Sequence, residues 1–193
     1  MLAEKFILTK LLGWKVTNPF PAVNKSIVVF APHTSYMDAF IGVLALRSYG
    51  VSYKLLSKKE LFRFPTVIVM RILGAIPVRG VKGHNAIYEA AEILKRAESM
   101  HLIICPEGQL APTDRWNPGF YYMGAKAKVP IIAAYMDYSK KELGIKKVIS
   151  SAQTKEEVFD QLAEAYQSVV GRHPENFFLP RAQGHREIHG QHA

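Results

Sequence analysis

A histidine and an aspartate stand five positions apart in the stretch "APHTSYMD", at His33 and Asp38, directly after an apolar run. If His33 lies in a loop and Asp38 in the first turn of a following helix, the carboxylate can reach back to one imidazole nitrogen and fix the tautomer. The other nitrogen is then free to accept a proton from a substrate hydroxyl. The pair therefore indicates general-base chemistry.

The same letters also fit helix capping. Ser35 can be the N-cap and Asp38 the reciprocal capping residue, which leaves His33 as an ordinary loop residue at a strand end. The two interpretations are compatible, because a capping carboxylate can still face an imidazole. The spacing alone does not choose between them.

Apolar periodicity predicts strands that alternate with helices, and hence an α/β fold with a largely parallel sheet flanked by helices. We expect one domain over residues 1–180, with an amphipathic N-terminal segment at 1–20 and a flexible tail at 181–193. Strands are predicted near 26–31, 51–57, 75–79, 101–105 and 129–136. Helices are predicted near 36–49, 58–74 (bent at Pro65), 85–98, 119–128 and 154–170, the last opening with a Thr154 to Glu157 capping box.

Polar residues follow three of these strands where each one ends. His33 follows the first strand, Arg79 closes another, and Glu107 and Gly108 follow a third. Ligands of open α/β sheets bind beyond the carboxyl ends of the strands, so these residues are expected at one site. Arg79 offers a planar donor fork for a phosphate or carboxylate, and Gly108 allows close approach of a ligand to the backbone. Taken individually, Arg79 can also be an ordinary exposed arginine, and Glu107 can also be an ordinary turn residue.

The formal net charge of +9 favours polyanionic partners, either nucleic acid or anionic lipid. Zinc-finger spacing, an aromatic RNA-binding strand motif and a basic arm are all missing, so we expect no nucleic acid. No apolar run reaches the length of a spanning helix. The N-terminal segment can lie in a membrane interface or dock on the domain's own core. The single Cys105 ends an apolar strand, and a buried thiol there is a poor nucleophile.

Four ordered stretches, "HTSYMD", "GAIPVRG", "CPEGQL" and "VPIIAA", together resemble the motifs of the glycerolipid acyltransferase family, which includes bacterial enzymes acting on lysophosphatidic acid. The resemblance covers roughly residues 25–137. It implies transfer of a fatty acyl group from acyl-CoA or acyl carrier protein to a lipid hydroxyl, with His33 as base and Asp38 orienting it. Arg79 would hold the acceptor's anionic group, and Glu107 with Gly108 would shape its site. Neither a metal nor a prosthetic group is implied.

The chain departs from the family's pattern at several positions. Pro32 precedes the histidine where Asn is common, Gln109 and Leu110 replace a Thr-Arg pair, and a lysine before Gly119 is missing. Either Arg115 or Lys126 then supplies the lost positive charge, or the acceptor carries a different head group, such as that of an aminoacyl lipid. We expect an enzyme in the cytoplasm, peripheral on the inner face of the membrane. The alternatives are a lipid-binding protein of the same fold without chemistry, and a hydrolase with Ser35 or Cys105 as nucleophile.

Overall fold

The computed structural model describes residues 2–78 and 84–180. The strands of the described chain are β1 Lys15–Val16, β2 Lys25–Ala31, β3 Tyr53–Lys58, β4 Ala75–Val78, β5 Met100–Ile104, β6 Ile131–Asp137 and β7 Glu142–Ile149. Its helices are α1 Leu2–Phe6, α2 Tyr36–Tyr49, α3 Thr66–Ile72, α4 His84–Arg96, α5 Gly119–Ala127 and α6 Lys155–Tyr166. Shorter turns are π-helical at Ile7–Leu11 and 3-10 at Lys59–Leu61 and Pro174–Asn176.

The strands form one seven-stranded sheet in the order β1-β7-β6-β2-β5-β3-β4. Within the described residues, neighbouring strands run parallel apart from the antiparallel pair β6 and β7. The predicted α/β fold with a largely parallel sheet is confirmed. The predicted tail at 181–193 lies outside the described residues.

The two faces of the sheet carry separate apolar cores. Ile27 and Val29 of β2 face a core that α4, α5 and α6 cover. Val28 lies between them in sequence and faces the opposite core, where α2 contributes Leu46. This alternation follows from the two-residue period of a strand, and burial of β2 on both faces explains its continuous apolar run.

Helix α2 follows β2 and begins and ends where its capping residues predict. Ser35 accepts a hydrogen bond from the Met37 amide, and Asp38 completes the capping box with the Ser35 amide. Gly50 ends the helix with φ of 71°, a left-handed conformation that glycine adopts without strain. The cap fixes the entry of α2 and thereby the position of the loop at 32–35.

The helix predicted over 58–74 is interrupted at Pro65 and not merely bent there. The chain instead forms the 3-10 turn Lys59–Leu61 and then α3, which begins directly after Pro65. Proline lacks an amide donor and cannot sit inside a continuous helix without breaking its hydrogen bonds. No residue of α3 is buried. Apolar residues at helical spacing were correctly associated with a helix, but their spacing does not reveal what covers them.

The N-terminal segment docks partly on the core. Leu8 and Trp14 are buried in a cluster with Leu44 of α2 and Met136 of β6. The side chains of Leu2, Phe6 and Leu11 remain exposed. Each of the two predicted roles of this segment therefore accounts for some of its apolar residues. No helix within 2–78 or 84–180 has the length and apolar character needed to cross a membrane.

Candidate active site

His33 and Asp38 meet at the carboxyl end of β2. The imidazole Nδ1 lies 3.5 Å from Oδ2 of Asp38, and the Asp38 side chain is fully buried. This separation exceeds a well-formed hydrogen bond, and such contacts in unliganded sites often shorten when the substrate binds. With Nδ1 directed at the carboxylate, Nε2 is the nitrogen left for a substrate proton.

Four donors surround the Asp38 carboxylate. Oδ2 accepts hydrogen bonds from the amides of Thr34 and Ser35, each at 2.8 Å, and also faces His33. Oδ1 accepts a 2.6 Å hydrogen bond from the Tyr138 hydroxyl. Burial alone would raise the pKa of Asp38, but the nearby imidazole of His33 and the hydrogen bonds from Tyr138 and the Ser35 amide outweigh it and lower that pKa. Asp38 is therefore held as an anion, the state that orients and stabilises an imidazolium. The capping interpretation is confirmed, and the catalytic interpretation, which is compatible with it, stays a prediction.

Glu107 supports the histidine loop from the neighbouring strand. Val29 of β2 is in register with Ile104 of β5, so the loops that follow these two strands lie side by side. Oε1 of Glu107 accepts a 3.0 Å hydrogen bond from the backbone amide of His33. Burial raises the pKa of Glu107 to about 7. The carboxyl predicted to shape the acceptor site thus also positions the catalytic loop.

Two buried polar atoms lack a hydrogen-bond partner among the described residues, and both belong to this site. They are Nδ1 of His33 and Oε2 of Glu107. Buried polar groups are almost always paired, and an exception points to strain or to a function that a ligand completes.

Gly108 has a φ of 67°, and a Cβ added there would meet no atom within 4 Å. The residue therefore serves a left-handed turn and leaves open space in front of the backbone. Its role in ligand binding stays a prediction. Arg115 lies on the exposed loop before α5, with Nε 4.0 Å from Oδ1 of Asp114. No contact of Arg115 with the histidine loop is found in the described chain, and its substrate role stays a prediction. Arg79 lies outside the described residues.

A largely apolar cavity of about 120 Å³ is lined at one end by His33 and Asp38 and continues beneath α2. Its lining reaches Tyr49 at the far end of the helix, a distance of roughly 16 Å along the helix axis. Gly42 has no side chain and Ala45 has only a methyl group, so both leave space in the cavity, and Phe20 lies at its far end. A long and narrow apolar space suits a single unbranched hydrocarbon chain.

A wider, open groove of about 640 Å³ lies at the opposite edge of the sheet, where its lining includes Phe20, Tyr49 and His101. Burial raises the pKa of Tyr49 to about 12 and lowers the pKa of His101, so both groups are held neutral. His101 Nδ1 is paired with the Ser26 hydroxyl at 2.8 Å. The groove therefore offers no charged pair comparable to His33 and Asp38. Phe20 and Tyr49 line both spaces and separate them.

The two candidate nucleophiles of a hydrolase are poorly placed for that role. Burial raises the pKa of the Cys105 thiol well above its ordinary value, so little thiolate is present near neutral pH. The Ser35 hydroxyl is engaged as the N-cap acceptor of α2. Both observations disfavour a covalent acyl-enzyme at these residues.

Sequence reasoning missed Tyr138, which follows β6 and binds Asp38 from a fourth strand end. His33 and Glu107 were found by searching for polar residues at the carboxyl ends of strands. The same search, applied to the strand that ends at Asp137, would have found Tyr138. The same edge also receives the C-terminal segment 170–173. The Tyr138 amide donates to the Val170 carbonyl, and the His173 amide donates to the Thr34 hydroxyl at 3.1 Å.

Within the described residues, no group of three or more His, Cys, Asp and Glu side chains is arranged to hold a metal ion. The arrangement at the carboxyl edge is instead an oriented base at the mouth of an apolar cavity. Such a site can take a proton from a hydroxyl while the cavity holds a hydrocarbon chain.

The model of the Acyltransferase family matches residues 14–137, and the chain belongs to this family. A curated relative is the chloroplastic 1-acyl-sn-glycerol-3-phosphate acyltransferase BAT2 of Brassica napus, which is 26% identical over 119 residues. That alignment covers 58% of this chain and 33% of the relative, so the chain spans about a third of that protein.

The fold resembles the crystal structure of the 1-acyl-sn-glycerophosphate acyltransferase PlsC from Thermotoga maritima. The TM-score is 0.54 at 19% sequence identity, and the similarity covers 87% of this chain and 78% of PlsC. At this identity the likeness concerns the fold. The resemblance drawn from the four sequence motifs is confirmed at the level of the family.

Proposed function

We propose that the protein transfers a fatty acyl group from a thioester donor to a hydroxyl group of a lysolipid. The observation that carries the proposal is the orientation of His33 by an anionic, fully buried Asp38 at the mouth of an apolar cavity. Membership of the acyltransferase family supports the reaction class. The name of the Brassica relative supports a glycerolipid acceptor.

In the proposed reaction, Nε2 of His33 takes the proton of the acceptor hydroxyl as that oxygen attacks the thioester carbonyl. The new carbon–oxygen bond forms and the carbon–sulfur bond breaks, and the leaving thiolate receives the proton from His33. Asp38 stabilises the imidazolium between these two transfers. General-base catalysis of this kind contributes about 10² to 10⁴ in rate.

The cavity beneath α2 is proposed to receive the acyl chain. Its opening at His33 would bring the thioester carbonyl to the catalytic nitrogen, while its apolar lining favours burial of methylene groups. Acyl-CoA and acyl carrier protein both fit as co-substrates, because the carrier would remain outside the cavity. The chemistry requires no resident cofactor.

The acceptor and its source complete the proposal. An anionic group on the acceptor would be held by Arg79, with Arg115 as a second cation. The net charge of +9 supports binding to an anionic membrane surface from the cytoplasmic side. Each Lys or Arg near such a surface contributes about 1 kcal/mol of binding free energy.

The proposal is tested with purified protein, labelled acyl-CoA and acyl carrier protein donors, and a panel of lysolipids. His33→Ala should retain the fold and lose about 10² to 10⁴ of the transfer rate. His173→Ala is the matched control, because its side chain is half exposed and lies outside the cavity. Transfer at background with every lysolipid would favour a lipid-binding protein of the same fold. Unchanged transfer by His33→Ala would remove His33 from the mechanism.

A further inference from the structure

An exposed apolar patch lies between β3 and β4. Phe64 is 85% exposed, and the α3 residues Ile68, Val69 and Ile72 are 52%, 52% and 62% exposed. We call these four side chains the α3 patch. Short helices are normally stabilised by burying their apolar face, whereas α3 directs these side chains into solvent.

Hydrogen bonds at both ends hold α3 in place. The Thr66 hydroxyl is 2.8 Å from both the Leu61 and the Arg63 carbonyl oxygens, which fixes the start of the helix. Nη2 of Arg47, on α2, donates a 2.6 Å bond to the Ile72 carbonyl and fixes its end. The apolar side chains of α3 are thus presented on an anchored helix, which is the arrangement expected of a surface that contacts something else.

Cations lie next to the α3 patch in the sequence. Lys58, Lys59, Arg63 and Arg71 are all exposed, and Glu60 is the one acidic residue between positions 58 and 72. Exposed apolar side chains with Lys and Arg close by in the chain match the two layers of an anionic lipid surface, with acyl chains below and phosphate groups above.

The position of the patch relative to the active site is equally specific. Leu55, Leu56 and Ser57 of β3 line the cavity that opens at His33. The chain leaves that wall at Lys58 and enters the patch directly. The start of α3 therefore lies beside the carboxyl end of β3, and its end lies at Arg47 in the last turn of α2.

We propose that the α3 patch docks the protein on an anionic lipid surface, which then lies alongside the β3 wall of the His33 cavity. The inference deepens the proposed acyl transfer and rests on it, since the surface would supply the acceptor. A second copy of the chain fits this surface less well. A two-fold pair would place the same four cations opposite one another, and lysine is depleted from the core of protein interfaces.

The test is sedimentation of the full chain with vesicles of phosphatidylglycerol and phosphatidylcholine in equal parts, compared with pure phosphatidylcholine. The wild type should bind the anionic vesicles and lose binding as salt is raised. Ile68→Ser/Ile72→Ser should weaken binding at least tenfold without lowering the melting temperature, because neither side chain is buried. Replacing the four cations by glutamine should weaken binding about fivefold for each charge removed.

The matched control is Tyr88→Ser/Tyr122→Ser, which removes two exposed large side chains from α4 and α5 on the opposite face. This variant should bind like the wild type. The proposal is overturned if the wild type does not bind anionic vesicles, or if Ile68→Ser/Ile72→Ser binds them as strongly as the wild type does. It is also overturned if sedimentation equilibrium shows a dimer that the same substitutions dissociate.

Vesicle binding and acyl transfer are measured separately, so their failures can be told apart. His33→Ala should still bind vesicles, because the base is not part of the patch. Ile68→Ser/Ile72→Ser should retain transfer to a monomeric, short-chain lysolipid and lose at least tenfold with an acceptor embedded in vesicles. An equal loss with both acceptors would contradict docking as the role of α3.

Discussion

The hydroxyl of Tyr138 donates a 2.6 Å hydrogen bond to Oδ1 of Asp38, from a strand end 100 residues further along the chain. This bond occupies the carboxylate oxygen that His33 does not face, and so it holds the plane of the carboxylate. It is also one of the interactions that lower the pKa of Asp38. Tyr138 is thus a positioning residue for the proposed catalytic pair.

Tyr138→Phe is expected to keep the fold and destabilise it by about 1.5–3 kcal/mol near neutral pH, because a buried anion loses a donor. The pKa of Asp38 in the folded state is below the ordinary aspartate pKa of 3.8. The loss of stability in Tyr138→Phe is therefore fully present above pH 3.8 and disappears as the pH falls through the folded-state pKa of Asp38. The acid limb of the pH–rate profile should also move to higher pH.

Urea unfolding at several pH values and the pH dependence of kcat/KM measure these effects of Tyr138→Phe. The control is Tyr121→Phe, which removes a hydroxyl bonded to the Gln153 carbonyl away from the site. That variant should lose less stability and leave the pH–rate profile in place. An unmoved acid limb in Tyr138→Phe would show that Tyr138 is only structural.

Glu107→Gln should change the pH dependence of stability. In the wild type the folded-state pKa of about 7 is above the ordinary 4.5, so the folded chain keeps a proton that the unfolded chain releases. Stability due to this group therefore falls as the pH rises from about 4.5 to about 7, by about 3 kcal/mol. Glutamine resembles the protonated form and can still accept the His33 amide bond, so this fall should vanish.

Denaturation of Glu107→Gln and wild type between pH 4.5 and 8 tests the prediction for Glu107. Glu98→Gln, at an exposed position, is the control, and its stability should depend on pH as that of the wild type does. Parallel curves for Glu107→Gln and wild type would mean that Glu107 is ionised like an exposed carboxylate.

Phe20→Ala should alter the preference for acyl chain length. Phe20 and Tyr49 lie 5.6 Å apart between ring centroids, at the far end of the apolar cavity. Removing the Phe20 ring joins the cavity to the groove at the opposite edge, so longer chains gain buried space at about 0.8 kcal/mol, or roughly fourfold in kcat/KM, per methylene. Competition between acyl thioesters of different chain length measures the change in preference. Phe20→Leu is the control, because leucine keeps most of the side-chain volume and should change the chain-length preference less.

Gly108→Ala should destabilise the fold by about 1–2 kcal/mol, because an L-residue is strained at a φ of 67°. Steric conflict adds nothing, since the new Cβ meets open space. Thermal unfolding measures the loss. Gly42→Ala is the control, because it adds a methyl group at ordinary contact distance from Phe30 within a helix. A Gly108→Ala protein as stable as the wild type would argue that the turn has relaxed.

The proximity of His33 and Asp38 was predictable because its determinants are local. Ser35, Asp38 and Gly50 define α2 within a few residues of sequence, and the same cap places Asp38 next to His33. The contact between Glu107 and the His33 amide was not predictable, because it depends on β2 and β5 being neighbours in the sheet. Only the order of the strands supplies that information.

The elements that sequence reasoning missed have weak local signals. β1 contains two residues, and its pairing with β7 is a long-range event. β7 is antiparallel to β6, and its exposed or half-exposed Lys146 and Lys147 dilute the apolar pattern. The error over 58–74 has another origin. Periodicity detects an apolar face but gives no information about whether protein or another surface lies against it.

The bond between the His173 amide and the Thr34 hydroxyl has a consequence for the timing of synthesis. The base comes from the first fifth of the chain, yet its loop is held by residues made near the end of the described chain. A ribosome-bound chain that stops before 170 would lack this bond, whereas Asp38 and Glu107, which also bond the loop, are already present in it. The bond from His173 therefore becomes possible only when the segment at 170–173 emerges.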